Sequence, residues 1–196
     1  PYDGASPVHV VEEGTGRQVP AQFVNVRGRR MLRIAADNVP RLGYSVYEIR
    51  QGIGQAFSDA GTFTDGRLES DVLHLYIDRR GAIRSLVDKA HGEREYIASE
   101  APANDIGEGV GTLTLENAGP VSLTVLATVI GHLPRTTRVT LYRDAARVDI
   151  ENVLEQGIDK VETWSFPFAF PDPVVHHEEV GAVLRAAHEP RGQYAQ

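Results

Sequence analysis

The sequence contains no cysteine and a single methionine, Met31, among its 196 residues. The absence of cysteine excludes disulfide bridges, thiolate chemistry and zinc held by cysteine. It also suits a reducing compartment, so we expect a cytoplasmic protein. Because the chain opens on Pro1 and carries no methionine before Met31, we further expect it to be a piece of a longer protein.

Long apolar runs and an excess of positive charge are missing as well. No apolar run approaches the roughly 20 residues of a membrane span, and no charged and then apolar signal peptide opens the chain. Lysine and arginine number 20 against 27 aspartate and glutamate residues, which gives a net charge of −7. This balance predicts neither nucleic acid nor an anionic membrane as a partner.

The composition is that of a folded protein with many turns. Apolar residues make up 41% of the chain, and its 19 glycines and 11 prolines are scattered rather than clustered.

Between Val8 and Arg50, apolar residues alternate in short runs, which indicates about four strands of ~5 residues each. The turns between them fall at 14–16, 27–29 and 38–40, each of which contains a glycine or a proline.

The alternation stops between residues 52 and 66, where glycines are spread among small and polar residues. We interpret 52–66 as a linker on the protein surface. The chain then divides into a small β-sandwich-like segment, 1–51, and a second β unit, 67–196, each with a core of its own.

The pattern of the second unit predicts three hairpins. Their predicted strands are 72–77 with 82–88, 112–115 with 121–130, and 137–142 with 147–153. The first turn, Asp78-Arg79-Arg80-Gly81, suits a tight hairpin because Gly81 can adopt a positive φ. No window of 11 or more residues shows a helical stripe, and only 155–163 is expected to form a short helical turn. The predicted fold class is therefore all-β, with stacked antiparallel sheets.

An aromatic stripe follows the last hairpin. Its members lie two residues apart and would share one face of a strand: Trp164, Phe166, Phe168 and Phe170. Large rings on one strand face are typical of a buried core, so we place the centre of the core here. A platform on which sugar rings stack is the alternative.

Five strings carry a resemblance to a known family. In chain order they are VPRLGYSVYEI (39–49), LESDVLHLYIDRRGAIRSLVDKAHGERE (68–95), GPVSLTVLATV (119–129), RVTLYRDAARVDIENVLEQ (138–156) and WSFPFAFPDPVVHHEEVGAVLRA (164–186). Together they resemble the C-terminal β-domain region of glycoside hydrolase family 38, the α-mannosidases. The first string is similar to the end of a small β-sandwich, and the others to the opening of an antiparallel β-supersandwich of the galactose-mutarotase-like type.

The resemblance implies a supporting domain rather than a whole enzyme. In that family an aspartate nucleophile, a carboxylic acid/base and a zinc ion held by His and Asp belong to an N-terminal β/α catalytic domain, whose motifs are not found here. We therefore predict no catalytic residue, no metal ligand and no cofactor in this segment, and expect zinc in the catalytic domain of the parent enzyme. The implied partners are that catalytic domain and a mannose-containing carbohydrate. A Tyr-Gly-Thr string that lines the sugar site in family members is replaced here by NDIGEGVGTLTLENAGP at 104–120.

The densest group of ligand-type side chains is His176-His177-Glu178-Glu179. On a strand, alternate residues point to opposite faces, so at most two ligands converge from this segment, whereas a zinc site needs three or four. An exposed polar loop is the simpler interpretation. As the alternative, His177 and Glu179 are the candidate carbohydrate-binding residues.

Two other groups are interpreted as solvated surface. Asp149 and Glu151 would share a strand face opposite Val148 and Ile150, which is the pattern of an ordinary solvent-facing strand rather than of a catalytic pair. The basic run at 27–30 is a hairpin turn in an acidic chain.

Two rival functions come from other classes. A carbohydrate-binding module would bind a sugar without turnover, and a stand-alone mutarotase-like enzyme would interconvert anomers with an acid and a base on one concave sheet. The resemblance also implies that a sheet of this segment lacks its neighbouring strands. An unpaired edge favours pairing with another chain, so we expect self-association, as a homo-oligomer.

Overall fold

A computed structural model of the chain describes residues 7–37, 39–131, 133–158, 161–179 and 181–185. Those residues form five strands in the first part of the chain: β1 (Val8–Glu12), β2 (Gln18–Val19), β3 (Ala21–Val26), β4 (Arg29–Ile34) and β5 (Tyr47–Gln51). Five more follow: β6 (Thr62–Thr64), β7 (Arg67–Glu69), β8 (Leu73–Ile77), β9 (Ile83–Asp88) and β10 (Arg94–Glu95). The last six are β11 (Val110–Ala118), β12 (Ser122–Ile130), β13 (Arg135–Tyr142), β14 (Val148–Leu154), β15 (His176–Glu179) and β16 (Ala182–Arg185).

Every strand pair is antiparallel, and the strands form five sheets. Their orders are β2-β1-β5, β3-β4, β10-β9-β8-β7-β6, β11-β12-β13-β14 and β15-β16. The one helical element among the described residues is a 3₁₀ turn, Lys89–His91. Within the described ranges no helix has the length and apolar character needed to cross a membrane.

The three predicted hairpins are confirmed as β8–β9, β11–β12 and β13–β14. In the first of them, Gly81 has φ of 85°, a left-handed conformation that favours glycine. The turn is also held by Asp78, whose carboxylate accepts hydrogen bonds from the backbone N–H groups of Arg80 (2.9 Å) and Ala82 (3.1 Å). An aspartate and a glycine at these two positions therefore fix the register of the hairpin.

The core lies between the five-stranded and the four-stranded sheets, which stack as a sandwich. Its buried members are Leu68, Leu73, Leu75, Ile77 and Ile83 from the first sheet, Leu123, Val125, Val139 and Leu141 from the second, and Ile97 and Ala103 from a loop. Residues two apart, such as Leu123 and Val125, point the same way because side chains alternate along a strand. The all-β prediction is confirmed, and the core is built from hairpin strands.

The prediction that the aromatic stripe is the centre of the core is wrong. Phe166, Phe168 and Phe170 are 44%, 51% and 39% exposed, and the segment forms only isolated bridges, Phe168 to Ile97 and Ser165 to Asp105. Pro167 accounts for the absence of a continuous ladder here, because proline lacks the N–H that a strand ladder requires. The predicted helical turn at 155–163 is also wrong for the described residues of that range, 155–158 and 161–163, which contain no helix.

A buried side-chain amide helps to attach the β3–β4 hairpin to the four-stranded sheet. Gln22, which is 8% exposed, accepts hydrogen bonds from the N–H groups of Val121 and Ser122, both at 2.8 Å. Its amide nitrogen donates to the Ser122 carbonyl at 3.1 Å. A Cβ at Gly119 would lie 3.0 Å from the Gln22 side chain, so this glycine leaves room for the amide.

The predicted linker contacts both of its neighbours. Gln18 receives a hydrogen bond from the Gln55 N–H and donates one to its carbonyl, at 2.8 and 2.9 Å. The Ala60 N–H donates to the Gly119 carbonyl at 2.8 Å, and β6 lies within the same segment. The division into 1–51, 52–66 and 67–196 stays a prediction.

We expect Gln22→Leu to lower the free energy of unfolding by about 1–3 kcal/mol, because it leaves the Val121 and Ser122 N–H groups buried without an acceptor. Gln18→Leu is the matched control, since it removes the same kind of paired amide contact at an exposed site. Urea unfolding followed by circular dichroism measures both variants. Equal losses for the two would contradict a special role for Gln22.

Candidate functional site

A polar groove of about 370 Å³ lies between the β3–β4 hairpin and the outer face of the four-stranded sheet. The hairpin contributes Asn25, Arg27 and Arg33 to its wall. The sheet contributes Glu116, Asn117, Thr124, Arg138, Thr140, Tyr142, Asp149 and Glu151. The groove thus collects hydroxyl, amide, guanidinium and carboxylate groups over one sheet face.

Strand alternation explains why these side chains face outward. Thr124, Thr140 and Asp149 lie in register across β12, β13 and β14. The two threonine hydroxyls are 2.9 Å apart and hydrogen-bonded. Their strand neighbours Val125 and Val139 point into the core instead. The same three strands therefore supply both the apolar core and the floor of the groove.

A series of charges crosses the groove. The Arg138 Nε atom lies 2.9 and 3.1 Å from the two carboxylate oxygens of Glu116. Its Nη1 atom lies 3.7 Å from Glu151 Oε2. Glu151 Oε1 accepts a hydrogen bond from Arg27 Nη2 at 3.0 Å, so the series ends on the hairpin wall. Alternating signs along this series let each carboxylate contact a guanidinium group.

A second group of charges surrounds Tyr142. Its hydroxyl donates to Asp149 Oδ2 at 2.7 Å, and Arg147 donates to both oxygens of the same carboxylate at 2.6 and 3.0 Å. The guanidinium groups of Arg33 and Arg147 lie 5.5 and 5.4 Å from the centre of the Tyr142 ring. Arg33 also donates to the Ser122 hydroxyl at 2.6 Å.

These contacts fix the protonation states of the tyrosine and the aspartate. Partial burial raises the pKa of the Asp149 carboxyl, but hydrogen bonds from Arg147 and Tyr142 outweigh it, and the net pKa is lowered. Burial, and then the hydrogen bond to Asp149, raises the pKa of Tyr142. At neutral pH the pair is therefore a phenol that donates to a carboxylate.

The displaced carboxyl pKa values of the described residues differ from the pattern of a retaining glycosidase. A retaining glycosidase needs a carboxyl with a raised pKa to act as the acid and a second carboxylate about 5–5.5 Å away. In the part of the chain that the structure describes, the carboxyls with a displaced pKa are all displaced downward: Glu69, Asp88, Glu95 and Asp149. Hydroxyl and amide groups beside paired charges are what a polyhydroxylated ligand can contact.

Exposed aromatic rings form a second surface. Phe166, Phe168 and Phe170 follow one another with ring centres 6.3 and 6.1 Å apart, and Phe170 lies 5.6 Å from Tyr96. The Arg94 guanidinium lies 5.1 Å from the centre of the Phe170 ring. Beside the rings is an apolar cavity of about 370 Å³, open to solvent at the side of the sandwich. The predicted alternative, a stacking platform for sugar rings, stays a prediction that this exposure favours.

The structure places the predicted acidic residues in the groove. Asp149 and Glu151 line it, and so do Val148 and Ile150, which also pack against the core. The sequence did not show that Glu151 is engaged by Arg27, because the two residues are 124 positions apart in the chain. The basic turn at 27–30 is likewise part of the groove wall through Arg27.

His177 and Glu179 lie on β15, opposite Leu184 and Ala182 of β16. Their side chains fall outside the described part of the structure, so their assignment as carbohydrate-binding residues stays a prediction. Across the described ranges, no three or more His, Asp or Glu side chains form a group that could hold a metal ion.

The most buried charge lies away from the groove and was not predicted. Arg135 is 2% exposed and donates to the Leu133 carbonyl at 3.2 Å. Burial, and then the neighbouring Arg80, lowers the pKa of Arg135. Arg80 itself is paired with Asp78 at 3.5 Å and Asp105 at 3.3 Å. These groups connect the first hairpin turn to the loop before β11, which is a structural role.

No family model and no curated protein matches the chain. Its fold is similar to a solved protein in glycosyl hydrolase family 38 from Enterococcus faecalis, with a TM-score of 0.52 and 12% identity over 79% of this chain and 26% of that one. It is also similar to an α-mannosidase from Enterococcus faecalis, with a TM-score of 0.54 and 12% identity over 79% and 25% of the two chains. The likeness shows a shared fold, and this chain spans about a quarter of the length of those chains.

We expect Asp149→Asn to lower the free energy of unfolding by about 1 kcal/mol at neutral pH, since its carboxylate is partly exposed. Because the folded pKa lies below the ordinary value of 3.8, the stabilisation is complete above that value and is lost as the pH falls through the folded pKa. The difference from the unchanged chain should therefore shrink in acid. Denaturant unfolding from neutral pH to about pH 3 measures it, with Asp71→Asn at an exposed turn as the control. A difference that stays constant over this range would contradict the assignment.

Proposed function

We propose that the chain is a β-sandwich region of an α-mannosidase-like enzyme of glycoside hydrolase family 38. One observation carries the proposal: the fold is similar, over 79% of the chain, to two solved chains described as a family 38 protein and an α-mannosidase. The five strings that resemble the family support it independently. In this proposal the chain supports a β/α catalytic domain and borders a cleft for a mannose-containing carbohydrate.

The proposed role is non-catalytic. The groove carboxylates are engaged by arginines, and the lowered pKa of Asp149 favours an acceptor over an acid. The nucleophile, the acid/base and the zinc ion of the parent would belong to the catalytic domain. This segment would supply neutral and charged surface around the sugar, with His177 and Glu179 as its proposed contacts.

The activity test uses the purified chain with an aryl α-mannoside, with and without added zinc. We expect no turnover above background, and no zinc retained in equimolar amount after dialysis. The same assay is repeated with two groove carboxylates replaced, in the variants Asp149→Asn and Glu151→Gln. Hydrolysis that survives repurification and disappears in either variant would overturn the non-catalytic role.

A carbohydrate-binding module is the second candidate, and the exposed rings of Phe166, Phe168 and Phe170 favour it. Titration of the chain with a mannose disaccharide, followed by isothermal calorimetry, separates the two. Binding without turnover that is lost in Phe168→Ala would support the module. No binding by the isolated chain fits a supporting domain that contacts sugar only beside its catalytic partner.

A further inference from the structure

Among the described residues, strand β5 is an edge strand with no strand on its outer side. On its inner side it pairs with β1, with Ile49 opposite Val10. No other strand of the described chain pairs with it. The hydrogen bonds that flank the strand, from the Glu13 N–H to the Val46 carbonyl and from the Gly52 N–H to the Pro7 carbonyl, show that the even-numbered residues bond to β1. In an antiparallel ladder this direction alternates, so the N–H and C=O groups of Tyr47, Ile49 and Gln51 point outward.

The sequence of β5, Tyr47–Gln51, is complementary to itself. If a second copy aligns its β5 antiparallel about a two-fold axis at Ile49, Ile49 faces Ile49, and Glu48 of each copy faces Arg50 of the other. Ile49 then exchanges backbone hydrogen bonds with its counterpart. Glu48 and Arg50 form the non-hydrogen-bonded pair, in which side chains come closest, with Cα atoms about 4.5 Å apart.

Glu48 and Arg50 can exchange their contact within one chain for contacts between two copies. Within one chain, Arg50 donates to Glu48 Oε2 at 2.7 and 2.9 Å, and both side chains are about half exposed. Charged side chains and proline are means by which edge strands avoid pairing. β5 has no proline, and its two charges have opposite signs, so an antiparallel second copy can neutralise both. Ile49, 52% exposed, and the apolar side chains of Tyr44 and Ile53 at the two ends of the strand add surface that pairing would bury.

We propose that β5 is a homodimerisation edge, through which two copies of the chain join their three-stranded sheets across a two-fold axis. A second copy fits this edge because it presents the acidic and basic residues in the order that matches, at two symmetric positions. The proposal is independent of the glycosidase assignment, since it uses only the edge and its charges.

The test is the mass of the purified chain by light scattering and by sedimentation across a dilution series. We expect a concentration-dependent mass of twice the 21.5 kDa of one chain. Glu48→Arg alone places Arg opposite Arg, and Arg50→Glu alone places Glu opposite Glu, so each variant should be a monomer. Mixing the two variants should restore a dimer, as should the double exchange Glu48→Arg with Arg50→Glu within one chain.

A backbone test separates this geometry from other association. The outward N–H of Ile49 bonds to the second copy and not to β1, so Ile49→Pro should abolish the dimer while the fold is retained by circular dichroism. Val161→Ser, which changes a 92% exposed apolar residue away from the edge, is the control and should leave the mass unchanged. A monomer at all concentrations, or a dimer that persists in both single charge variants, would overturn the proposal.

Discussion

The arrangement of this protein depends on the side-chain amide of Gln22. It occupies the place of a neighbouring strand at the start of β12, where it meets the N–H groups of Val121 and Ser122 and the Ser122 carbonyl. A side chain can substitute for a strand only if its partners are out of water, and Gln22 is buried. Without this contact the β3–β4 hairpin would lack its most specific attachment, and the groove would lose one wall.

The groove also depends on the two-sidedness of the four-stranded sheet. Because side chains alternate, β13 sends Val139 and Leu141 into the sandwich and Arg138 and Thr140 into the groove. A one-residue slip in register would bury the arginine and expose the valine. The register of the core therefore also fixes the spacing of the charged groups, so fold stability and groove geometry are set by the same pairing.

Local chemistry explains what the sequence could predict. The hairpins follow from alternation plus a turn, as at Asp78 and Gly81, and these signals lie within a few residues of each other. The prediction that the aromatic stripe is a buried strand face was wrong because it used spacing alone, and Pro167 interrupts the ladder. The groove could not be predicted, because Gln22 and Ser122 are 100 residues apart and no local pattern marks their contact. The only sequence feature that pointed to the groove was weak. It was the opposite charge of the acidic pair on β14 and the basic turn at 27–30.

The nature of the groove contacts bears on what the chain can do. Catalytic sites tend to hold groups whose pKa is moved toward the working pH, and they leave the reacting atoms accessible. Here the pKa values move away from the working pH. Burial raises the pKa of Asp149, but hydrogen bonds from Arg147 and Tyr142 outweigh it and the net pKa is lowered, while burial and then the hydrogen bond to Asp149 raise the pKa of Tyr142. The carboxylates of Glu116 and Glu151 accept hydrogen bonds from Arg138 and Arg27. A surface whose charges are paired with each other can present fixed hydrogen-bond donors and acceptors to a bound molecule or domain without exchanging protons with it. Since a fold does not by itself determine function, this pairing is what supports the proposed non-catalytic role of the chain.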